Sequence, residues 1–198
     1  AYILARKSFP GRQILNGIVQ LPLVLPPEVT GYLVLVLFGQ QGPLRAPLND
    51  IFGITLAFRC TGAALAAAIM AFPLMVRAIR VGFEAVDTGL EDAAATLGAS
   101  RWRVMATVTL PLVLPGILAG GILGFAKALG EFGATITFVA AIPGQTQTIP
   151  TAIYGLLQVP GAEPAVLGLV TVSVVLAMGA LLVSEWLARR MARKVGRG

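Results

Sequence analysis

The chain has 198 residues, of which 57% are hydrophobic and only 12% charged, and its mean hydropathy is +0.84. A soluble domain of this size needs more polar residues to cover its surface, so the composition indicates a membrane-embedded protein. The sequence contains a single cysteine, Cys60, which excludes an internal disulfide. It contains no histidine, and together these facts argue against a metal site or a histidine-based acid–base centre. We expect Cys60 to be a small packing residue.

The net charge of +6 comes from basic residues that cluster at the ends of apolar segments. They are not interleaved with aromatic residues on a polar face, so the charge favours a membrane surface over nucleic acid.

Four apolar segments are long enough to cross a bilayer, and they predict an all-α integral membrane fold with four full spans. Prolines and Glu28 interrupt the first segment, so we expect it to be kinked and to face protein rather than lipid. In the second segment, Arg59 lies near one end, where it can reach the headgroups. The four segments are 14–38, 54–76, 104–126 and 165–184.

Two further apolar runs, 132–142 and 149–159, are too short to cross a hydrocarbon core of about 30 Å as helices. A turn at Pro143 and Gly144 and a stretch of glutamine and threonine join them. This pattern suggests re-entrant structure or segments that line a pathway.

A polar loop, residues 84–103, separates the second and third spans. Thr88 and Glu91 have the spacing of a capping box, and Gly98 is suited to end the helix, which predicts a helix of eight or nine residues with a smooth alanine wall. Such a short helix needs a groove to lie in, or it is an ordinary capped loop helix; the residues alone leave both interpretations open.

The distribution of basic residues predicts which side the loop occupies. If the chain crosses the membrane at each of the four spans, three segments lie on the same side: 1–13, 77–103 and 185–198. They contain twelve of the 15 lysines and arginines. By the positive-inside rule we expect the 84–103 loop and the C-terminus in the cytoplasm.

The polar loop also carries a motif. It consists of Asp92-Ala93-Ala94, then Gly98 after three residues, then Val108-Thr109-Leu110-Pro111 after nine more. This motif resembles the "EAA" signature of permease subunits of binding-protein-dependent ABC importers, with Asp92 in place of Glu and Val108 in place of Ile. The resemblance implies a MetI-like ABC permease core within a single transmembrane domain, 1–198. It further implies a coupling helix, roughly 89–97, that docks on a cytosolic ATPase. The residues implied in coupling are Glu91, Asp92, Ala93, Ala94, Gly98, Leu110 and Pro111.

Four longer segments, 21–39, 72–80, 129–139 and 148–158, are similar to the molybdate permease subunits of that family, with tungstate not separable by sequence; sulfate permeases share only the GEFGA core of the third. The resemblance implies a homodimer in the cell inner membrane that moves a tetrahedral oxyanion without chemistry on it. Its implied partners are ABC ATPase subunits, which bind ATP and Mg²⁺, and a periplasmic molybdate-binding protein; this chain would bind no cofactor. Members usually carry one more N-terminal span, to which only residues 1–6 could belong here, so we expect the first family span to be largely missing.

The translocation path is less defined by the sequence. Ionisable residues at membrane depth are functional candidates, but Lys127 and Glu131 are four residues apart and could simply neutralise each other. A proton-coupled secondary transporter with Glu28 or Glu131 as its relay is the nearest rival, and a membrane enzyme is a more distant one. The candidate path residues are Glu131, Gly133, Thr135, Thr137 and Lys127.

Overall fold

The structure is a computed structural model that describes residues 1–53 and 55–195. Within these ranges the chain forms eleven α-helices and one π-helical segment, Met105–Thr109, and no β-strand. The predicted all-α class is therefore confirmed for the part that the structure describes. The helices are α1 Tyr2–Arg6, α2 Arg12–Val24, α3 Pro27–Phe38, α4 Arg45–Phe52, α5 Cys60–Glu84, α6 Thr88–Thr96, α7 Arg101–Val104, α8 Leu110–Leu129, α9 Gly133–Val139, α10 Ile149–Leu156 and α11 Glu163–Val195.

Among the residues that the structure describes, three helical stretches are long and apolar enough to cross a membrane: Cys60–Glu84, Arg101–Leu129 and Glu163–Val183. The predicted first span is a pair of helices, α2 and α3, bent by 111°, so a fourth span exists only if the pair is counted as one. The bend follows from Pro26 and Pro27. A residue before proline is excluded from the α conformation, and Pro26 has an extended ψ of 136° while Pro27 opens α3.

The second span differs from its prediction at both ends. It begins at Cys60 rather than at residue 54, because the chain turns at Phe58, which has a positive φ of 57°. It continues to Glu84, where Arg80 Nε donates to Glu84 Oε1 at 2.7 Å. The expectation that Cys60 is a packing residue is wrong: the side chain is exposed, and its thiol donates to the Gln145 carbonyl.

A π-helical segment lies within the third span, directly before Leu110-Pro111. Proline has no N–H, and its ring crowds the carbonyl four residues earlier, which here belongs to Thr107. In the widened turn the Leu110 N–H donates to the Met105 carbonyl, five residues back. The π turn thus accommodates Pro111 without ending the span.

The short apolar runs form short helices, as predicted: α9 has seven residues and α10 has eight. Both belong to the second of the two compact units into which the chain divides, Gln20–Pro73 with Phe125–Gly179. Its core packs α3 against α9 around Val34, Met70 and Phe138. The approach is close, since a Cβ on Gly31 would lie 2.6 Å from the Ala134 carbonyl oxygen.

The first unit contains Ala1–Val19, Leu74–Gly124 and the segment from Ala180 onward. In it, α8 crosses α5 at a pair of glycines. A Cβ built on Gly116 would lie 3.0 Å from the Gly82 Cα, so the two backbones meet with no side chain between them. Gly120, one turn later, fits against Ile79 and the Met75 carbonyl in the same manner. Small residues at this spacing are the usual means of close helix packing in lipid.

Candidate functional site

The polar loop contains the predicted short helix, α6, of nine residues. Its N-cap is Asp87, whose carboxylate accepts from the Gly89 N–H at 2.8 Å. The predicted capping box of Thr88 and Glu91 is therefore wrong. Thr88 is already the first helical residue, and three residues after Asp87 comes Leu90, which has no carboxylate to return the bond.

The C-terminal end of α6 is as predicted. Gly98 follows the C-cap residue Leu97 with a φ of +84°, a conformation that glycine adopts without strain. Its N–H donates to the Ala95 carbonyl at 3.0 Å, and the next N–H, of Ala99, donates to Ala94 at 3.2 Å. These bonds close the helix and turn the chain toward α7.

One face of α6 is apolar and open. Leu90, Ala93 and Leu97 have the i, i+3, i+7 spacing that places residues on one side of a helix, and all three are exposed. Leu97 is 89% exposed, and Trp102 on the neighbouring α7 is 85% exposed. We call Leu90, Ala93 and Leu97 the apolar docking face. Large exposed apolar side chains in a polar loop indicate a protein partner.

The opposite side of α6 is attached to the rest of the first unit through Glu91. Its Oε1 accepts a hydrogen bond from the Thr109 hydroxyl at 2.6 Å, and the same oxygen lies 3.4 Å from Arg6 Nη2. Thr109, the last residue of the π-helical segment, is only 1% exposed. Glu91 therefore faces the first unit, whereas Asp92 beside it is exposed.

The remaining residues predicted for coupling lie near these two. Ala94 is half-buried on α6, while Leu110 and Pro111 open α8 immediately after the π-helical segment and are exposed. The structure thus brings the helix and the Leu-Pro step together through Glu91 and Thr109.

The candidate path residues lie in the second unit, where α8 gives way to α9. Glu131 is 2% exposed, yet both of its oxygens are satisfied: Oε2 lies 2.6 Å from Lys127 Nζ, and Oε1 accepts from the Ala134 N–H at 3.0 Å. The interpretation that Glu131 and Lys127 neutralise each other is confirmed, and Glu131 also accepts from the first turn of α9.

The threonines suggested as lining groups are used within the fold of the single chain. Thr135 is buried, and the Thr137 hydroxyl donates to the Gly133 carbonyl at 2.8 Å. Gly133 itself lies under Glu28, because a Cβ there would be 2.7 Å from Glu28 Oε1. A groove of about 620 Å³ beside this segment is lined by other, mostly apolar residues, among them Phe132 and Tyr154.

Sequence reasoning missed four residues of the polar loop and its supports: Asp87, Thr109 as a partner of Glu91, Arg6 and Trp102. Leu90 and Leu97 were missed as well, and their helical spacing with Ala93, which was predicted, could have revealed them. Arg6 could not, because its contacts with Glu91 and the Val86 carbonyl span about 80 residues of sequence and leave no local pattern.

Helices apolar and long enough to span a membrane, together with the half-length helix α9 packed against α3 and an exposed short helix in a loop, are the features of a multi-pass membrane protein. The chain matches the family model "Binding-protein-dependent transport system inner membrane component" over residues 1–196, and it belongs to this family.

The similar proteins are transport permeases. "Molybdenum transport system permease protein ModB" of Escherichia coli (strain K12) is 58% identical over 197 residues, covering 100% of this chain and 86% of that protein. The protein of the same name from Haemophilus influenzae is 54% identical over 198 residues, with the same coverage. "Sulfate transport system permease protein CysW" of Synechococcus elongatus is 39% identical over 150 residues, covering 76% of this chain and 52% of that protein.

The fold is also similar to a solved one. A chain in the crystal structure of a bacterial ABC transporter involved in the import of the acidic polysaccharide alginate superposes with a TM-score of 0.63 at 20% sequence identity, covering 98% of this chain and 70% of that chain. This agreement confirms the predicted ABC permease fold.

Proposed function

We propose that this chain is the membrane-spanning permease subunit of an ABC importer that carries molybdate into the cytoplasm. The observation that carries the proposal is the 58% identity to a molybdenum permease over the whole of this chain. A sulfate permease is only 39% identical over 76% of the chain, so molybdate is the favoured oxyanion. The permease does no chemistry on the anion and binds no cofactor.

The 84–103 loop and the C-terminus face the cytoplasm. The distribution of basic residues supports this orientation, because Arg77, Arg80, Arg101 and Arg103 flank the loop, and five of the last ten residues are basic. The acidic residues of α6 are repelled by the anionic headgroups that attract these arginines, so α6 points away from the bilayer.

The apolar docking face binds a cytosolic ATPase subunit that holds ATP and Mg²⁺. Three exposed residues on one side of a short helix suit a groove on a soluble partner, in which the helix lies with Leu90 and Leu97 as anchors. Asp92 and Ala93 belong to the exposed part of α6, while Glu91 holds the helix from behind.

Two copies of the permease form the conduit, each with an ATPase, and a periplasmic binding protein delivers the anion. ATP binding draws the ATPases and their docked helices together and changes access from one side of the membrane to the other. Such a switch requires that the partner grip α6 differently with and without ATP.

The proposal is tested by reconstituting the permease with its ATPase and binding protein in liposomes and measuring ATP-dependent uptake of labelled molybdate. Unlabelled molybdate and tungstate should inhibit this uptake at far lower concentrations than sulfate does. If only sulfate inhibited the uptake strongly, the substrate would be sulfate and not molybdate. Uptake driven by a proton gradient without ATP would contradict the importer and support the secondary transporter.

The docking face has its own test. Leu97→Glu places a charge at the centre of an apolar contact and should abolish copurification of the ATPase. Ala95→Glu is the matched control, since Ala95 is exposed on the same helix but lies on the side away from Leu90 and Leu97. Equal loss of the ATPase from both variants, or from neither, would contradict the assigned face.

A further inference from the structure

One carboxylate oxygen joins three separate segments of the first unit. Glu91 Oε1, on α6, accepts from the Thr109 hydroxyl at 2.6 Å and lies 3.4 Å from Arg6 Nη2, on α1. The same Arg6 nitrogen donates to the Val86 carbonyl at 3.0 Å, just before α6 begins. Arg6 thus braces both the start of α6 and the side chain that anchors it.

The Glu91–Thr109 hydrogen bond is placed where it has a large effect. A hydroxyl bonded to an ionised carboxylate makes a strong, short bond, and Thr109 is too deeply buried for water to replace its partner. In addition, α6 itself has no buried residue, so apolar packing contributes little to holding it. The helix is therefore attached chiefly by polar contacts, of which this one is the most buried.

The bond ends on an irregular part of the third span. Thr109 is the last residue of the π-helical segment, whose wide turn is an exception in an otherwise α-helical span. A π turn is a point at which a helix can change its register or direction at lower cost than elsewhere. The Glu91–Thr109 hydrogen bond thus connects α6 to that turn, one residue before Leu110.

We propose that Glu91 is a positioning residue that couples movement of α6 to the π-helical segment of the third span, with Thr109 as its partner and Arg6 as its brace. This inference rests on the proposed function and adds the route by which the ATPase acts on the span. The resemblance already implies Glu91 in coupling, but it names neither the partner, Thr109, nor the brace, Arg6, through which Glu91 acts.

The test separates coupling from assembly. The full complex with ATPase and binding protein is reconstituted in liposomes, and the molybdate taken up per ATP hydrolysed is measured. Thr109→Val removes the hydroxyl but keeps the shape, and it should lower uptake per ATP about tenfold, the effect of losing one charge-assisted hydrogen bond. Arg6→Gln should lower the ratio by a smaller factor, whereas Thr109→Ser, which keeps the hydroxyl, should preserve it.

The matched control is Thr107→Val. Thr107 lies in the same π-helical segment, but its hydroxyl donates to the Arg103 carbonyl of its own helix, so its loss should not change the ratio. If Thr109→Val gives the same uptake per ATP as Thr107→Val, the positioning role is wrong. If Thr109→Val no longer copurifies with the ATPase while Thr109→Ser does, the bond serves assembly, which also overturns the proposal. Failure of the unsubstituted complex to take up molybdate would instead refute the proposed function.

Discussion

The Lys127 ammonium lies 2.6 Å from Oε2 of Glu131, and Glu131 Oε1 accepts from the Ala134 N–H at the start of α9. One carboxylate thus neutralises a cation on α8 and caps the next helix. The buried side chain of Glu131 thus holds together the junction between the long helix α8 and the short helix α9.

Removing the cation should destabilise this step. Lys127→Met leaves the buried Glu131 charge without its partner, and because Lys127 itself is partly exposed we expect a loss of about 1–3 kcal/mol. Thermal unfolding of the detergent-solubilised protein checks this. The double variant Lys127→Met/Glu131→Gln should recover much of the loss, since glutamine can still accept from Ala134 without a charge. Lys7→Met, at an exposed lysine, is the control; a similar drop there would argue against the ion pair.

The glycine crossing of α5 and α8 gives a second prediction. Gly116→Leu forces the two backbones apart, because its Cβ alone would lie 3.0 Å from the Gly82 Cα. We expect a loss of about 1–3 kcal/mol, as for other overpacked sites, and reduced yield of folded protein in size-exclusion profiles. Gly121→Leu lies on the same helix with nothing within 4 Å of its Cβ, and it should behave like the unsubstituted protein.

A third prediction concerns the cap of α6. Asp87→Ala removes the acceptor of the Gly89 N–H and should cost about 1 kcal/mol of helix stability, measured as weaker binding of the ATPase. Thr88→Ala should leave binding unchanged. If Thr88→Ala weakened binding of the ATPase and Asp87→Ala did not, Thr88 would be the capping residue after all.

Much of the fold follows from local patterns in the sequence. Hydropathy located the long helices, because a bilayer selects length and apolarity, and Gly98 marked the end of α6, because its positive φ favours glycine. Helix starts were less accurate: Thr88 and Asp87 are both good N-caps, and their neighbours do not decide between them. The start of α5 depended on a turn at Phe58, a residue type that gives no turn signal.

The candidate site was predicted in part for the same reasons. The charge spacing of Lys127 and Glu131 is local, so their pairing was foreseeable. The hydroxyl of Thr135 predicts a place near the path, and this stays a prediction; within the single chain Thr135 is buried on α9. The role of Glu91 depends on contacts with Arg6 and Thr109, which are distant in sequence, and only the three-dimensional arrangement reveals them.

The exposed position of Cys60 has a practical consequence. It is the sole cysteine in the sequence, and it lies at the opposite end of α5 from the 84–103 loop. Residues 1–198 thus contain one native site for a thiol reagent, and that site reports orientation directly. In intact spheroplasts a membrane-impermeant maleimide should label Cys60; labelling only after the membrane is opened would place the 84–103 loop outside the cell.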